Sequence, residues 1–214
     1  MLLQALLAIS WMWFYGVAFL TQFPVFAKDV LGGDEQVASL LLVVFSVGVG
    51  LGSLACEWLA RGRVEPGLVP LGALGMSAFG VDLYLAAHAA AAQGPLLGVG
   101  AFIAQPAHWR VMGDLFGLSA SAGVYSVPLY ALIQQHTPAS HRARVIAANN
   151  ILNALYMIVC AGYCAVLLGL GVSVPALLLS IALLNLAAAA WLLSRQPVYG
   201  RRFVAWLLRQ PQQS

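Results

Sequence analysis

Residues 140–156, SHRARVIAANNILNALY, set Arg142 and Arg144 ahead of Asn149, Asn150 and Asn153 at the start of an otherwise apolar helical pattern. An amide side chain offers two donor hydrogens and an acceptor oxygen, and moving it into hydrocarbon without partners costs several kcal/mol. On a helix Asn149 and Asn153 share a face, Asn150 points about 100° away, and all three lie within about 14 Å of Arg144. Such a stripe either locks neighbouring helices together or lines a hydrated path. The residue types leave both readings open.

The remaining groups with chemical potential are few. Glu57 stands near the end of one apolar run, Asp82 lies deep in the next, and Asp114 opens a third beside Arg110. An ionisable side chain inside a membrane span costs roughly 2.5–3.5 kcal/mol on insertion scales and calls for a partner or a water-filled cavity. Arg110 and Asp114, four residues apart, are expected to pair on one helical face. Asp82 sits about 22 Å along its helix from Gly67. It is expected either to bond a neighbouring helix, to reach the interface, or to serve as a proton or cation site.

Cys56, Cys160 and Cys164 form no CxxC and lie in apolar runs, where packing is their expected role. Metal-ligand spacings are absent, so neither a metal nor a cofactor is expected. Acyl transfer of the glycerophospholipid type uses a His and an Asp with four residues between them as a base–orienter pair. His108 and Asp114 have five between them, and His88, His136 and His141 have no Asp at that distance. The chain is therefore not expected to be an enzyme by itself.

These residues are carried by a chain of 214 residues that is 62% hydrophobic and 8% charged, with a mean hydropathy of +0.88. Soluble domains run about 45–50% apolar and about 25% charged. The composition predicts an all-α integral membrane protein. A span needs about 20 mainly apolar residues, and the hydrophobic runs predict six, at 2–23, 37–60, 67–92, 111–135, 144–168 and 173–194. The first lacks a basic leader and exceeds the roughly 7–15-residue core of a signal peptide, so it reads as a retained span.

With alternating spans, Arg61, Arg63, Arg142, Arg144, Arg195, Arg201, Arg202 and Arg209 share one side, against Lys28 and Arg110 on the other. The positive-inside rule makes the arginine side cytoplasmic and places both termini there. This distribution explains the net charge of +3 without a nucleic-acid partner. The stretch 93–110, rich in Gly and Pro, is expected to lie along the outer surface or to lengthen the flanking helices. RRFVAWLLRQ, at 201–210, is too short to span and suits an amphipathic helix on an anionic leaflet, or else belongs to a tail or linker.

Small residues mark contact faces. Gly48 and Gly52 stand in GxxxG spacing and GALGMSAFG follows in the third run, patterns that let helices approach closely. Pro128 interrupts the fourth run and leaves a carbonyl without its usual donor, which a cavity-lining helix tolerates better than a lipid-facing one.

Six spans with both termini inside, a glycine-rich second helix and the loop GSLACEWLARGRVEPG resemble half of a major facilitator superfamily transporter. Glu57, Arg61, Gly62 and Arg63 match positions of that superfamily's cytoplasmic loop signature, without its compact Asp–Arg pair. RGRVEPGLVPLGALGMS, HWRVMGDLFGLSASAGVYSVPLYALIQQ and SHRARVIAANNILNALYMIV are similar to the second half of the bacterial lysophospholipid transporter family. The similarity is greatest to the form fused ahead of a glycerophospholipid acyltransferase.

The resemblance implies that the six spans (1–195) correspond to helices seven to twelve, with 196–214 as a cytoplasmic tail or linker. It implies transport of lysophospholipid, chiefly lysophosphatidylethanolamine, to the inner leaflet of the bacterial inner membrane. It implies a missing N-terminal six-helix half as partner, and an acyltransferase domain beyond Ser214. By that analogy the Pro128 helix and Asn149, Asn150 and Asn153 line the path, and Asp82 falls on a peripheral helix. Tyr15, Gln22, Tyr125 and Tyr130, with Trp11 and Trp13, become candidate path contacts. Glu57, Arg61, Gly62, Arg63, Arg142 and Arg144 would form the cytoplasmic gate and loop. A carrier half for another solute and a membrane anchor for an attached enzyme are the competing expectations.

Overall fold

The computed structural model of the protein describes residues 2–60, 62–90 and 94–208; Arg61 and Arg209 lie outside the described residues. Among these residues the fold is all helical. Six helices are long and apolar enough to cross a membrane: α1 (Leu2–Val25, continued by a π turn, Phe26–Val30), α2 (Glu35–Ala60), α3 (Leu68–Ala89), α5 (Pro106–Gln135), α6 (Arg142–Gly169) and α7 (Val174–Arg195). Two shorter helices join them, α4 (Val99–Ile103) and α8 (Pro197–Leu207).

The boundaries follow local chemistry. Asp34 starts α2, its carboxylate Oδ1 accepting from Gln36 N at 2.9 Å and Val37 N at 3.0 Å, which satisfies donors that a helix start leaves free. Prolines 106, 175 and 197 occupy first-turn positions of α5, α7 and α8, where a missing N–H costs nothing. The stretch before Arg110 lengthens one of its neighbours, because α5 begins at Pro106, and ahead of that it forms the short α4. The connections before α2 and before α4 are clasped together, Leu97 N donating to Gly32 O at 2.7 Å and Asp34 N to Leu97 O at 3.0 Å.

Around α5 the bundle is tight. α5 packs chiefly on α2 and α3, α3 also on α7, and α1 on α6, α5 and α7. Glycine makes two of these approaches possible: a Cβ at Gly52 would lie 2.0 Å from Ala120 O, and one at Gly72 would lie 2.6 Å from Tyr125 N. The GxxxG of α2 is thus a face laid on α5, as small-residue packing in membranes requires. A core of aromatic and branched side chains, including Phe19, Met76, Leu115 and Ile181, fills the space between α1, α3, α5 and α7.

Pro128 is buried within a continuous α5. Its missing N–H frees the Val124 carbonyl four residues back, and the Cys56 thiol of α2 donates to that oxygen at 3.9 Å. At the arginine-rich end α8 folds back over the connection between α2 and α3. Trp206 Nε1 donates to Leu59 O at 3.3 Å, Tyr199 is fully buried, and the backbone at Arg202 abuts Gly67. The apolar–basic segment at 201–208 is therefore a packed helix.

Candidate functional site

Asn149 and Asn153 are buried against α1, while Asn150 is exposed. The orientation of the Asn153 amide that satisfies its neighbours has its nitrogen donating to Ser10 Oγ at 2.9 Å and to the Asn149 carbonyl at 3.1 Å. Its oxygen then accepts from Asn149 Nδ2 at 3.2 Å and from Trp13 Nε1 at 3.1 Å. Trp13 Nε1 also lies 3.3 Å from the Tyr130 hydroxyl of α5. Five side chains thus form one polar cluster across α1, α5 and α6. Asn153 sits at its centre, with the half-exposed Trp13 at its edge.

A second network mirrors it on the other side of α1. Asn185 of α7 accepts from Trp11 Nε1 at 2.8 Å and donates to Ala73 O at 2.8 Å and Ser77 Oγ at 2.9 Å, and Ser77 donates to Ala182 O at 3.0 Å. Sequence reasoning missed Asn185, although a lone amide in ALLNLAAAA carries the same signal as the stripe in α6: a polar group that hydrocarbon cannot satisfy. Helix α1 is therefore fastened by an asparagine from each of two neighbours.

The other path candidates occupy different surroundings. Tyr15 is buried and donates to Met76 O at 2.9 Å; Tyr125 is buried and donates to Ala8 O at 3.2 Å. Both bond helix backbones across the interior of the bundle. Gln22 is buried near the far end of α1, its Nε2 donating to Thr21 Oγ1 at 3.4 Å. Of the path candidates, the structure brings together Asn149, Asn153 and Tyr130, and joins Trp13 to them.

At the arginine-rich end Glu57, Gly62 and Arg63 are exposed, as are Arg142 and Arg144. Arg142 Nε reaches Thr137 O at 3.5 Å. No ion pair links these groups among the described residues.

At the opposite end the expected Arg110–Asp114 pair is replaced by a different one. Arg110 forms its ion pair with Asp82 of α3, with Arg110 Nε donating to Asp82 Oδ2 at 3.1 Å and Nη2 to Oδ1. The reason is packing: α3 lies on α5, so Asp82 meets Arg110 at the surface of the bundle, whereas Asp114 is turned inward and buried. Asp82 is thus bonded to a neighbouring helix, one of the roles its position suggested.

No known protein family, curated protein or solved structure matches this chain. The geometry of the chain itself holds one further feature.

That geometry includes a cavity of about 790 Å³ at the Asp82 end, between the far end of α1 and the start of α2. Apolar Leu20, Phe23, Leu42 and Leu96 share its lining with Lys28, Asp34 and Glu35. Its charged residues come from AKDVLGGDEQ, the one charge-dense connection at that end, a signal that the positive-inside comparison reduced to a single lysine.

Proposed function

We propose that this chain is one six-helix half of an alternating-access carrier of the major facilitator type. Its cargo, in this reading, is a lysophospholipid of the lysophosphatidylethanolamine kind, delivered to the inner leaflet of a bacterial inner membrane with both termini on the cytoplasmic side. The observation that carries the architectural part is the symmetry of the packing. Exchanging the first three spans with the last three turns α2-on-α5 into α6-on-α1 and α3-on-α5 into α7-on-α1. The pairs α3–α7 and α1–α5 map onto themselves. A three-plus-three inverted repeat of this kind is the plan of each half in such carriers.

The same plan accounts for what is left uncovered. α2 and α6 are the least buried spans, and they turn apolar faces outward, Val43, Val47 and Leu51 on one and Ile151, Leu155 and Ile158 on the other. In the proposed whole these faces meet a second six-helix half. The polar cluster around Asn153 sits beside them, at the edge of the surface that would close a central path. The cargo assignment rests on the sequence resemblance of the three long stretches quoted above, and an acyltransferase that consumes the delivered lysolipid is the expected neighbour.

The deciding experiment is uptake of labelled lysophosphatidylethanolamine into spheroplasts expressing this chain, with and without a candidate N-terminal half. Uptake only when both are present is the expected result. Absence of uptake with both halves verified in the membrane would sink the lipid-carrier reading.

A further inference from the structure

The cavity at the far end of α1 has charges of both signs that are free to act on a ligand. Of the cations at this end, Arg110 is held by Asp82, whereas Lys28 has no ion-pair partner among the described residues. Lys28 is exposed and is presented by the π turn Phe26–Val30, an irregularity that occurs often at functional sites. Of the two carboxylates lining the cavity, Asp34 is committed through Oδ1 to capping α2. Glu35, one residue on, is exposed and its side chain engages nothing among the described residues.

Below this charged rim the lining turns apolar, with Phe23 and Leu20 on α1, Leu42 on α2 and Leu96 from the clasped connection. Leu20 and Leu42 are partly exposed, so the apolar wall is open along the span. A volume of about 790 Å³ lies within the range of about 300–1,000 Å³ that holds small-molecule ligands.

We propose that this cavity binds a zwitterionic amphiphile, with Lys28 taking its phosphate, Glu35 its ammonium, and the wall of Leu20, Phe23, Leu42 and Leu96 the start of its acyl chain. Lys28 faces two carboxylates, Asp34 and Glu35, so the lining repels a simple anion, whereas a ligand that carries both charges engages Lys28 and Glu35 at once. That the amphiphile carries a single chain rests on the lysolipid-carrier reading; the charge pattern and the apolar wall do not. The site would receive cargo at the end of the bundle remote from the arginine-rich connections.

The test is equilibrium binding to the full chain in nonionic detergent, using three probes: lysophosphatidylethanolamine, lysophosphatidic acid, which lacks the ammonium, and monoacylglycerol, which lacks the phosphate. Lysophosphatidylethanolamine should bind most tightly. Lys28→Gln should weaken it about tenfold, the scale of one charge-assisted contact, and leave monoacylglycerol unchanged. Glu35→Gln should weaken lysophosphatidylethanolamine and leave lysophosphatidic acid equal or tighter. Both side chains are exposed, so both variants should keep the wild-type thermal melt.

Equal affinity for all three probes, or lysophosphatidylethanolamine binding unaffected by either substitution, overturns the site. Uptake by the two-half assembly that runs at the wild-type rate in both variants also overturns it, and leaves the carrier reading standing. Charge-dependent binding as described, with no uptake of any lysolipid, supports the site while removing the carrier reading.

Discussion

Asn153 is the residue on which most depends, because its amide joins Ser10, Trp13 and Asn149 in one cluster. Hydrogen bonds between membrane helices contribute on average about 0.6 and at most about 1.7 kcal/mol. Asn153→Ala should therefore lower the melting temperature in detergent while leaving insertion intact. Asn150→Ala, at an exposed position, should leave it unchanged. In an assembled carrier, Asn149→Ala with Asn153→Ala should reduce lysolipid uptake; uptake at the wild-type rate would confine the pair to helix locking. Tyr199 gives an opposite expectation. Burial pushes its hydroxyl up to about 12, and that oxygen has no hydrogen-bond partner among the described residues. Tyr199→Phe should keep or raise the melting temperature, since an unpaired buried hydroxyl opposes folding. Tyr199→Ala should lower it by leaving a void beneath α8. The sequence showed which α6 positions share a face but not which neighbour they meet, because helical periodicity fixes direction around one axis and says nothing of the adjacent one. For the same reason helical spacing pairs Arg110 with Asp114 on its own helix, whereas its partner is Asp82, 28 residues away in α3.

Elements were the most legible level. All six spans stand where hydrophobic runs and the length of a bilayer crossing put them, because a backbone in hydrocarbon has few options besides helix. What remained hidden was the π turn after α1, and the stretch before Arg110 left open the choice between a separate piece and a longer α5, which the structure resolves into α4 and a start at Pro106. The glycine faces were visible as spacing, and the structure supplies their target. Gly52→Leu should separate α2 from α5 and abolish the monodisperse folded peak in size-exclusion chromatography. Gly50→Leu, where an added Cβ meets nothing within 4 Å, should elute as wild type. Pro128 illustrates how an element's defect is absorbed by its neighbour. The freed Val124 carbonyl takes the Cys56 thiol, a pairing that required knowing that α2 lies on α5.

For the whole molecule, the arrangement of charge and the uncovered faces make separate predictions. If the arginine-rich connections face the cytoplasm, a cysteine at Ser140 should react with an impermeant maleimide only after the membrane is opened. One at Ser173 should react in intact cells; the reverse labelling would invert the topology. If α2 and α6 meet a second half, Leu51→Cys and Ile158→Cys should form disulfides with introduced cysteines of a co-expressed N-terminal half, and not when that half is absent. The symmetry of the packing was not apparent from the residues, since it resides in which helices touch and leaves no shared motif in the two sets of three spans.

The central place of α5 bears on the order in which the protein is made. α1, α2 and α3 touch one another little, and each acquires much of its packing from helices encoded later. Of these six helices the first three therefore find little among themselves to pack against until α5 has emerged. During that interval, ribosome-bound chains ending before Pro106 should be open to membrane proteases and chaperones, and chains extended past Gln135 should become resistant.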